Sequence, residues 1–365
     1  MHARSSKAGK FVNQLAKIMR PVYTQPMERG WAGLPYHPIS KHYQRLFGTK
    51  VYKIPVSVVD DCPNRMGLKG MQTCIFCDEW GSAAKAESLN LPLSEQIEKY
   101  KDSISQKFKA QNFLVYFQAY TNTFTKISAL RANFETALRH PGVVGIVIGT
   151  RPDCLSKAVL DLWREYSLRT HVAVEIGVQS FFDDQLTFLR RGHTADQAIE
   201  AIHRISEETS VDLGIHLIFG QPGETDEQIV QTAQIVNSLP ITNVKLHNLH
   251  VLKNTPLEEL YLRGEFSPID FITYSQRVAI FLDHLSPALA IHRLAAFSSR
   301  WDELVAPEWT SDKMKTHQGI VEYLREKGHW QSRLFQTGDP LLIQLRKDLA
   351  VQSAPVTNFQ QFKTL

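Results

Sequence analysis

Between residues 51 and 252 the chain alternates six times between short apolar runs and amphipathic helical patterns. The runs are rich in Val, Ile and Phe, as strands of a parallel sheet covered on both faces are. This alternation predicts parallel βα units. The six runs are VYKIPVSVVDD (51–61), FLVYFQAY (113–120), VVGIVIGTR (143–151), HVAVEIGVQS (171–180), VDLGIHLIFG (211–220) and NVKLHNLHVL (243–252).

The segments between these runs have the spacing of helices. SEQIEKYKDSISQKF opens with Ser94 as its predicted N-cap, and Thr225 is the predicted N-cap of a later helix. LAIHRLAAF (289–297) is a candidate for one more strand. The helical patterns are 94–108, 155–167, 194–209, 225–239 and, near the end of the chain, 313–328.

Six βα units can form either a doubly wound sheet or an incomplete barrel. Pro55 favours an edge position for the first strand, because proline has no backbone N–H to donate to a ladder. A closed eight-stranded barrel has no edge, whereas an open one has two. We therefore expect an α/β fold, an incomplete (β/α)6 TIM-like barrel over residues 49–300. A basic N-terminal arm (1–48) precedes it, and a C-terminal helical appendage (301–365) follows.

Composition narrows the class of protein. Of 365 residues, 43% are hydrophobic and 21% are charged, which suits a globular protein with a substantial core. No run of about 18 apolar residues occurs and the start lacks a continuous apolar segment, so we expect no membrane contact and a cytoplasmic location. Residues 1–50 carry nine Lys and Arg against one acid. Such an arm is either a solvated leader or a contact for RNA or another polyanion.

CPNRMGLKGMQTCIFC (62–77) holds three of the four cysteines, spaced C-x11-C-x2-C. It follows the C-terminal end of the first strand, where parallel α/β folds build their sites. A structural zinc ion needs a fourth ligand, which here would be Cys154, a histidine or a carboxylate. A [4Fe–4S] cluster held by three thiolates leaves one iron open. The loop favours a catalytic cluster, and Cys154 is expected to pack at the start of a helix.

The cysteine loop resembles that of radical S-adenosylmethionine (SAM) enzymes, with Phe76 as the aromatic before the last cysteine. The long first gap is similar to the branch that contains the catalytic subunit of Elongator, and most similar to YhcC-type bacterial proteins. Met66 stands where that type has an acidic residue. Further segments over roughly 40–300 resemble the same group: FQAYTNTF, GTRPDCL, VEIGVQS, RRGHT, HLIFGQPGET and KLHNLHVLKNTPL.

The resemblance implies that Cys62, Cys74 and Cys77 ligate a [4Fe–4S] cluster whose open iron binds SAM. It also implies an incomplete (β/α)6 barrel. An electron from a flavodoxin-like or ferredoxin-like reductase would cleave SAM to a 5′-deoxyadenosyl radical that abstracts hydrogen from a substrate. RNA or a nucleotide is one substrate class left open, and a small molecule or tetrapyrrole is another. A non-catalytic metal-binding or cofactor-binding protein is the remaining alternative.

Other radical SAM enzymes have a glycine-rich GGE segment after the second strand to hold the amino group of SAM, and this chain lacks it. Gln118, Thr121 and Asn122 are the candidates to replace it. The alternative is a plain loop with turn-forming Asn and Thr.

The period of two places Glu175, Gly177 and Gln179 on one face of the fourth strand. The resemblance implies that Glu175 and Gln179 contact the ribose or methionyl part of SAM. It also implies that Arg191 pairs with the SAM carboxylate, as guanidinium geometry allows. Arg190 is the alternative to Arg191.

Three histidines are further candidates. His216 lies in an apolar strand at the position where porphyrinogen-oxidase-like relatives have an aspartate that contacts SAM, so it is a candidate for SAM or substrate. His247 and His250 end the sixth predicted strand and are expected to line the substrate cavity. The alternative for each is a histidine that bonds to the backbone or the core.

Overall fold

The computed structural model describes residues 31–59, 61–78, 81, 91–297 and 301–336. Most of the predicted basic arm and the last residues of the chain lie outside these ranges. The strands are β1 (Val51–Val56), β2 (Asn112–Phe117), β3 (Val143–Thr150), β4 (His171–Gln179), β5 (Asp212–Phe219), β6 (Asn243–Asn248), β7 (Val251–Leu252), β8 (Ala290–Ile291) and β9 (Leu304–Ala306). The helices are α1 (Ile39–Phe47), α2 (Leu93–Phe108), α3 (Ile127–Leu138), α4 (Lys157–Ser167), α5 (Asp183–Phe188), α6 (Ala195–Glu208), α7 (Asp226–Ser238), α8 (Pro256–Leu262), α9 (Phe271–His284) and α10 (Lys313–Glu326).

Seven parallel strands form one sheet in the order β1-β2-β3-β4-β5-β6-β8, which is also their order in the chain. A doubly wound sheet would reverse its strand order, so this order confirms the incomplete barrel. β1 is an edge strand, as Pro55 predicted. The predicted run 243–252 divides, because Val251–Leu252 leaves the sheet and pairs antiparallel with β9. The candidate strand in 289–297 is present as β8.

The sheet is curled into a half-barrel. Lys53 of β1 and Lys245 of β6 lie far apart in the strand order, yet both ammonium groups contact the carboxylate of Glu175 in β4. This is geometrically possible only if the strand faces turn toward a common interior. The period of two then sends one set of side chains inward and the alternate set outward, against the helices.

The outward set forms the main hydrophobic core between sheet and helices. Its members from the strands include Ile54, Val115, Ile148, Val174, Ile215 and Leu246, and those from the helices include Ile97, Phe134, Trp163, Ile202, Val236 and Val278. A smaller cluster lies at the N-terminal end of the barrel interior, where Tyr43 of α1 packs with Leu114, Tyr116, Val147 and Ala173. Helix α1 therefore covers the bottom of the half-barrel and leaves the C-terminal ends of the strands open.

Two helix starts were predicted from capping residues, and one of them is confirmed. Thr225 caps α7, since its hydroxyl accepts from the backbone of Gln228. Ser94 was predicted to cap α2, and this is wrong. The helix begins at Leu93 after Pro92, which has no side-chain cap, and the Pro92 carbonyl accepts from the backbone of Glu95 at 3.0 Å. The fixed φ of proline, not a hydroxyl cap, sets this start.

Segments on both sides of the predicted barrel pack against it. In the described part of the arm, Trp31, Tyr36 and His37 are buried, and Pro38 forms a bridge to Ile291. After residue 300, β9 pairs with β7 and α10 packs against α9. The side chain of Gln331 joins the two segments, because it accepts from the His37 backbone at 2.7 Å. In the described ranges, no helix has the length and apolar composition needed to cross a membrane.

Candidate active site

One cavity of about 520 Å³ extends from the middle of the curled sheet to the C-terminal ends of the strands. Its wall combines residues from the inward faces of β1 to β6 with residues from the loops that follow them. Predicted site residues that line it are Cys62, Cys74, Phe76, Cys77, Gln118, Thr121, Glu175, Gln179, Arg191, His216, His247 and His250. Asn122 is the predicted site residue that is not in this wall.

The cysteine loop folds as a series of turns. The backbone of Met66 donates to the Cys62 carbonyl at 3.0 Å, and Lys69 at the following turn has a left-handed φ of 53°. No three His, Cys, Asp or Glu side chains among the described residues lie close enough to share a single metal ion. A four-iron cluster binds each thiolate to a different iron and so requires ligands that are spread around it.

The environment of the thiols suits a group that replaces their protons. Cys74 is buried, and its sulfur accepts from Asn64 Nδ2 at 3.4 Å and from Arg191 Nη1 at 3.3 Å. Burial raises the pKa of Cys77 to about 12, nearby Cys74 and Asp78 add to this, and Arg65 opposes it. Metal ions bind the thiolate, so a cluster would displace this proton and compensate the buried charge.

The long gap in the cysteine motif packs on the turn that carries Arg191. Asn64 Nδ2 donates to the Arg190 carbonyl at 2.6 Å, and the Ile75 backbone donates to the Leu189 carbonyl at 3.3 Å. A Cβ on Gly192, whose φ is 71°, would lie 2.5 Å from the sulfur of Met71. These contacts hold the cysteine loop against the turn that carries Arg191. Met66 points outward with 51% of its surface exposed, and nothing in the structure explains its presence.

Arg191 is a buried cation beside the cysteines. It donates to the Gly177 carbonyl at 3.0 Å as well as to Cys74, and its Nε has no hydrogen-bond partner in the described structure. No carboxylate of the described residues lies within ion-pairing distance of it. Arg190 does not line the cavity. A buried guanidinium that donates to Cys74 and has no ion-pair partner among the described residues fits an anionic cluster and a carboxylate ligand.

Gly177 and Gln179 lie next to the Arg191 guanidinium. A Cβ on Gly177 would lie 2.8 Å from Gln179 Nε2 and 3.3 Å from Arg191 Nη2. Gln179 has a left-handed φ of 73° at a register shift between β4 and β5. The predicted inward face of β4 is therefore present, and its end is bent so that glutamine and arginine lie together.

Sequence reasoning missed Arg151. It lies in the GTRPDCL segment, is buried, and forms a bidentate pair with Asp153 at 2.8 and 2.9 Å. Its Nη2 also donates to the Arg191 carbonyl at 2.6 Å, and its Nη1 has no partner in the described structure. The sequence signal that could have identified Arg151 as a site residue is its position directly after the apolar run of the third strand.

The loop after β2 places its three candidates differently. Gln118 and Thr121 line the cavity. Asn122 is buried outside the wall, where its amide donates to the carbonyls of Phe117, Ala119 and Gly149 at 2.8, 3.2 and 3.1 Å. Asn122 thus braces the loop, and its contact with SAM remains a prediction.

Glu175 is the centre of a buried charged network. Its carboxylate accepts from Lys53, from Tyr116 at 2.8 Å, from Lys245 at 3.0 Å and from His216 at 2.6 Å. Burial alone would raise the pKa of Glu175, but Lys245 and Lys53 hold it well below its usual range. Glu175 is therefore ionised, and its oxygens are occupied by side chains of the protein.

The three predicted histidines lie on the same wall. The His216 and His247 rings are 5.0 Å apart, and Arg293 Nη2 donates to His247 Nδ1 at 2.7 Å. Burial lowers the pKa of His216 and of His250 to about 4 each, with Lys245 adding to the first and Arg293 to the second. At neutral pH these imidazoles are uncharged.

At the open end of the curled α/β sheet, three cysteines and a buried arginine line one cavity, and these residues would fit an iron–sulfur cluster and an anionic cofactor. Comparison with known proteins agrees. Residues 56–236 match the Radical SAM superfamily and residues 241–326 match the Radical_SAM C-terminal domain. The chain belongs to the radical SAM superfamily of enzymes, whose members typically bind a [4Fe–4S] cluster and SAM.

Two curated relatives cover most of the chain. It is 35% identical to the uncharacterized protein MJ0486 of Methanocaldococcus jannaschii over 87% of this chain and 96% of that protein. It is 31% identical to YhcC of Escherichia coli over 78% of this chain and 90% of that protein. The resemblance to YhcC-type proteins is therefore confirmed.

Two further similarities are to a solved structure and to part of a longer relative. A solved structure of Methanocaldococcus infernus Elp3 aligns with a TM-score of 0.59 at 17% identity, over 77% of this chain and 64% of that chain, and supports the fold. A stretch of 145 residues, 37% of this chain and 26% of the relative, is 29% identical to the tRNA uridine(34) acetyltransferase of Methanocaldococcus jannaschii.

Proposed function

We propose that this chain holds a [4Fe–4S] cluster through Cys62, Cys74 and Cys77 and cleaves SAM reductively. When bound, the cluster supplies the electron that converts SAM into methionine and a 5′-deoxyadenosyl radical, which abstracts a hydrogen atom from the substrate. The observation that carries the proposal is the position of Arg191, a buried cation with no carboxylate partner among the described residues, directly beside Cys74.

The residues of the chain bind and orient in this proposal. Arg191 pairs with the carboxylate of SAM, and Gln179 contacts its methionyl part. Gln118 and Thr121 offer polar groups from the loop after β2, which also lines the cavity. Asn64 donates to the Cys74 sulfur, as hydrogen bonds that tune a cluster do. The electron comes from a flavodoxin-like or ferredoxin-like reductase.

For the substrate we propose a nucleotide within RNA. The similarity to part of a tRNA uridine(34) acetyltransferase supports this class, and so do the nine Lys and Arg among residues 1–50. Small-molecule or tetrapyrrole chemistry is the competing outcome.

The cofactor proposal is tested by anaerobic reconstitution with iron and sulfide, followed by SAM and dithionite. We expect about four irons per chain and release of 5′-deoxyadenosine, detected by mass spectrometry. Cys77→Ser should lose both. Cys154→Ser is the matched control, because Cys154 is the one cysteine outside the cavity wall, and it should keep both. Iron binding without 5′-deoxyadenosine would favour a non-catalytic protein.

The substrate proposal is tested by deuterium transfer. RNA and a low-molecular-weight fraction from cells grown in deuterated medium are supplied separately to the reconstituted enzyme. Deuterium in 5′-deoxyadenosine from the RNA fraction, abolished by ribonuclease, is the expected result. Deuterium from the small-molecule fraction alone would refute the RNA proposal and leave SAM cleavage standing.

A further inference from the structure

The interior end of the cavity carries more positive than negative charge. Lys53, Lys245 and Arg293 line it there, and Glu175 is the acid they face. Their neighbours His216, His247 and His292 are neutral, since burial lowers the pKa of each. The formal balance of this group is therefore positive, at a depth where the lysine side chains are only 21% and 12% exposed.

Glu175 cannot neutralise all three cations. Both of its oxygens already accept from Lys53, Lys245, Tyr116 and His216. Among the described residues, no carboxylate lies within ion-pairing distance of Arg293. That guanidinium donates to the His247 ring, and its Nε has no hydrogen-bond partner in the described structure.

Cations that are buried without enough acids are costly, so they indicate either a bound anion or a shifted protonation state. Burial lowers the pKa of Lys245 to about 8, with Arg293 and Lys53 adding to the effect, and burial also lowers the pKa of Arg293. Both side chains line the cavity and are therefore within reach of a ligand there.

We propose that Arg293 and Lys245 bind an anionic group of the substrate, a carboxylate or a phosphate, at the interior end of the cavity. The proposal rests on the proposed function for the existence of a substrate in this cavity. Arg151 donates to the Arg191 backbone and Arg191 donates to Cys74, whereas Lys245 donates to Glu175 and Arg293 to His247, so the two pairs of cations share no hydrogen-bond partner. The first serves the cofactor and the second holds the anionic group of the substrate.

The test uses reconstituted full-length protein with saturating SAM, so that the Arg191 region is occupied. Sodium phosphate and sodium acetate are titrated separately at constant ionic strength, and the thermal unfolding midpoint is followed. We expect a saturable increase with at least one anion. Phosphate alone indicates a phosphate group, acetate alone a carboxylate, and a response to both a site that accepts either.

Arg293→Gln removes a cation that makes no contact with Glu175 and should raise the apparent dissociation constant about tenfold or more. Arg293→Lys keeps the charge and should restore part of the affinity. Lys157→Gln is the control for the loss of one positive charge, because Lys157 lies outside the cavity wall on an exposed helix, where it pairs with Asp161 at 2.8 Å. It should bind the anion like the wild type.

No saturable response to either anion would overturn the proposal, and so would a response that Arg293→Gln leaves intact. The same wild-type samples are assayed for 5′-deoxyadenosine. Release of this product without anion binding refutes the anion site alone. Anion binding without the product refutes SAM cleavage and leaves the anion site standing.

Discussion

Replacing Glu175 by Gln tests whether this carboxylate stabilises the half-barrel. The substitution keeps the shape of the side chain and removes its charge. Lys53 and Lys245 then face no acid among the described residues, and His216 loses a charged acceptor. Breaking a buried ion pair by removing one partner costs about 3–5 kcal/mol, and here two lysines lose the same partner. We expect a loss of about 3–5 kcal/mol in the free energy of unfolding.

The stabilisation by the Glu175 carboxylate depends on pH in a definite direction. The folded-state pKa of Glu175 lies well below its usual value of 4.5, so the unfolded state binds more protons in that window. The stabilisation is therefore complete above about pH 4.5 and is lost as the pH falls through the folded-state pKa. The stabilisation that the Glu175 carboxylate gives the wild type over Glu175→Gln should therefore shrink as the pH falls below about 4.5.

Urea unfolding followed by far-ultraviolet circular dichroism measures these differences. A double-mutant cycle with Lys245→Met separates the ion pair from the loss of packing, and we expect a coupling of about 1–3 kcal/mol. Glu165→Gln is the control. Its partner Arg131 forms a bidentate pair on the exposed surface, and its urea midpoint should hardly change. A Glu175→Gln midpoint equal to that of the control, or zero coupling, would refute the reasoning.

Two further predictions concern the cofactor wall, and a third concerns the exposed side of the cysteine loop. Arg191→Gln should raise the dissociation constant for SAM roughly ten- to hundredfold without loss of bound iron, measured by equilibrium dialysis with labelled SAM. Arg190→Gln is the control and should leave this constant unchanged, because Arg190 is not in the cavity wall. Gly177→Ala should weaken SAM binding with little change in circular dichroism, because the new Cβ would lie 2.8 Å from Gln179 Nε2. Met66→Ala should change stability by less than about 0.5 kcal/mol in urea, since that side chain is exposed.

The fold was predictable because it depends on local patterns. Apolar runs separated by helical patterns predicted each of the six strands, and Pro55 predicted that the first strand lies at the edge of the sheet. The misplaced N-cap at Ser94 shows where such reasoning fails, because a preceding proline can start a helix without a hydroxyl. The division of run 243–252 depends on β9, about fifty residues later in the chain, and no local signal contains that partner.

The cysteine spacing and the family resemblance assigned the three cysteines and Arg191 to one site, and all four line the same cavity, while their roles as ligands stay predictions. The partners of Glu175 were not predicted. The period of two placed Glu175 on the inward face of β4. It also placed Lys53 on the same face as Pro55, and Lys245 on the same face as His247. Which of these side chains meet depends on how far the sheet curls, and that is set by packing of the helices and of Tyr43 beneath the sheet.

The curl has a consequence for chemistry. Because β1 and β6 both reach the carboxylate in β4, cations from opposite sides of the sheet converge at the interior end of the cavity, while the cysteine loop lies at the open end. An anionic group held at the interior end would leave the rest of the substrate between it and the cofactor. The position of that group, not the cysteine loop, then decides which hydrogen of the substrate faces the cofactor. Substitutions at Arg293 should therefore change the extent of hydrogen abstraction per SAM cleaved more than they change iron binding.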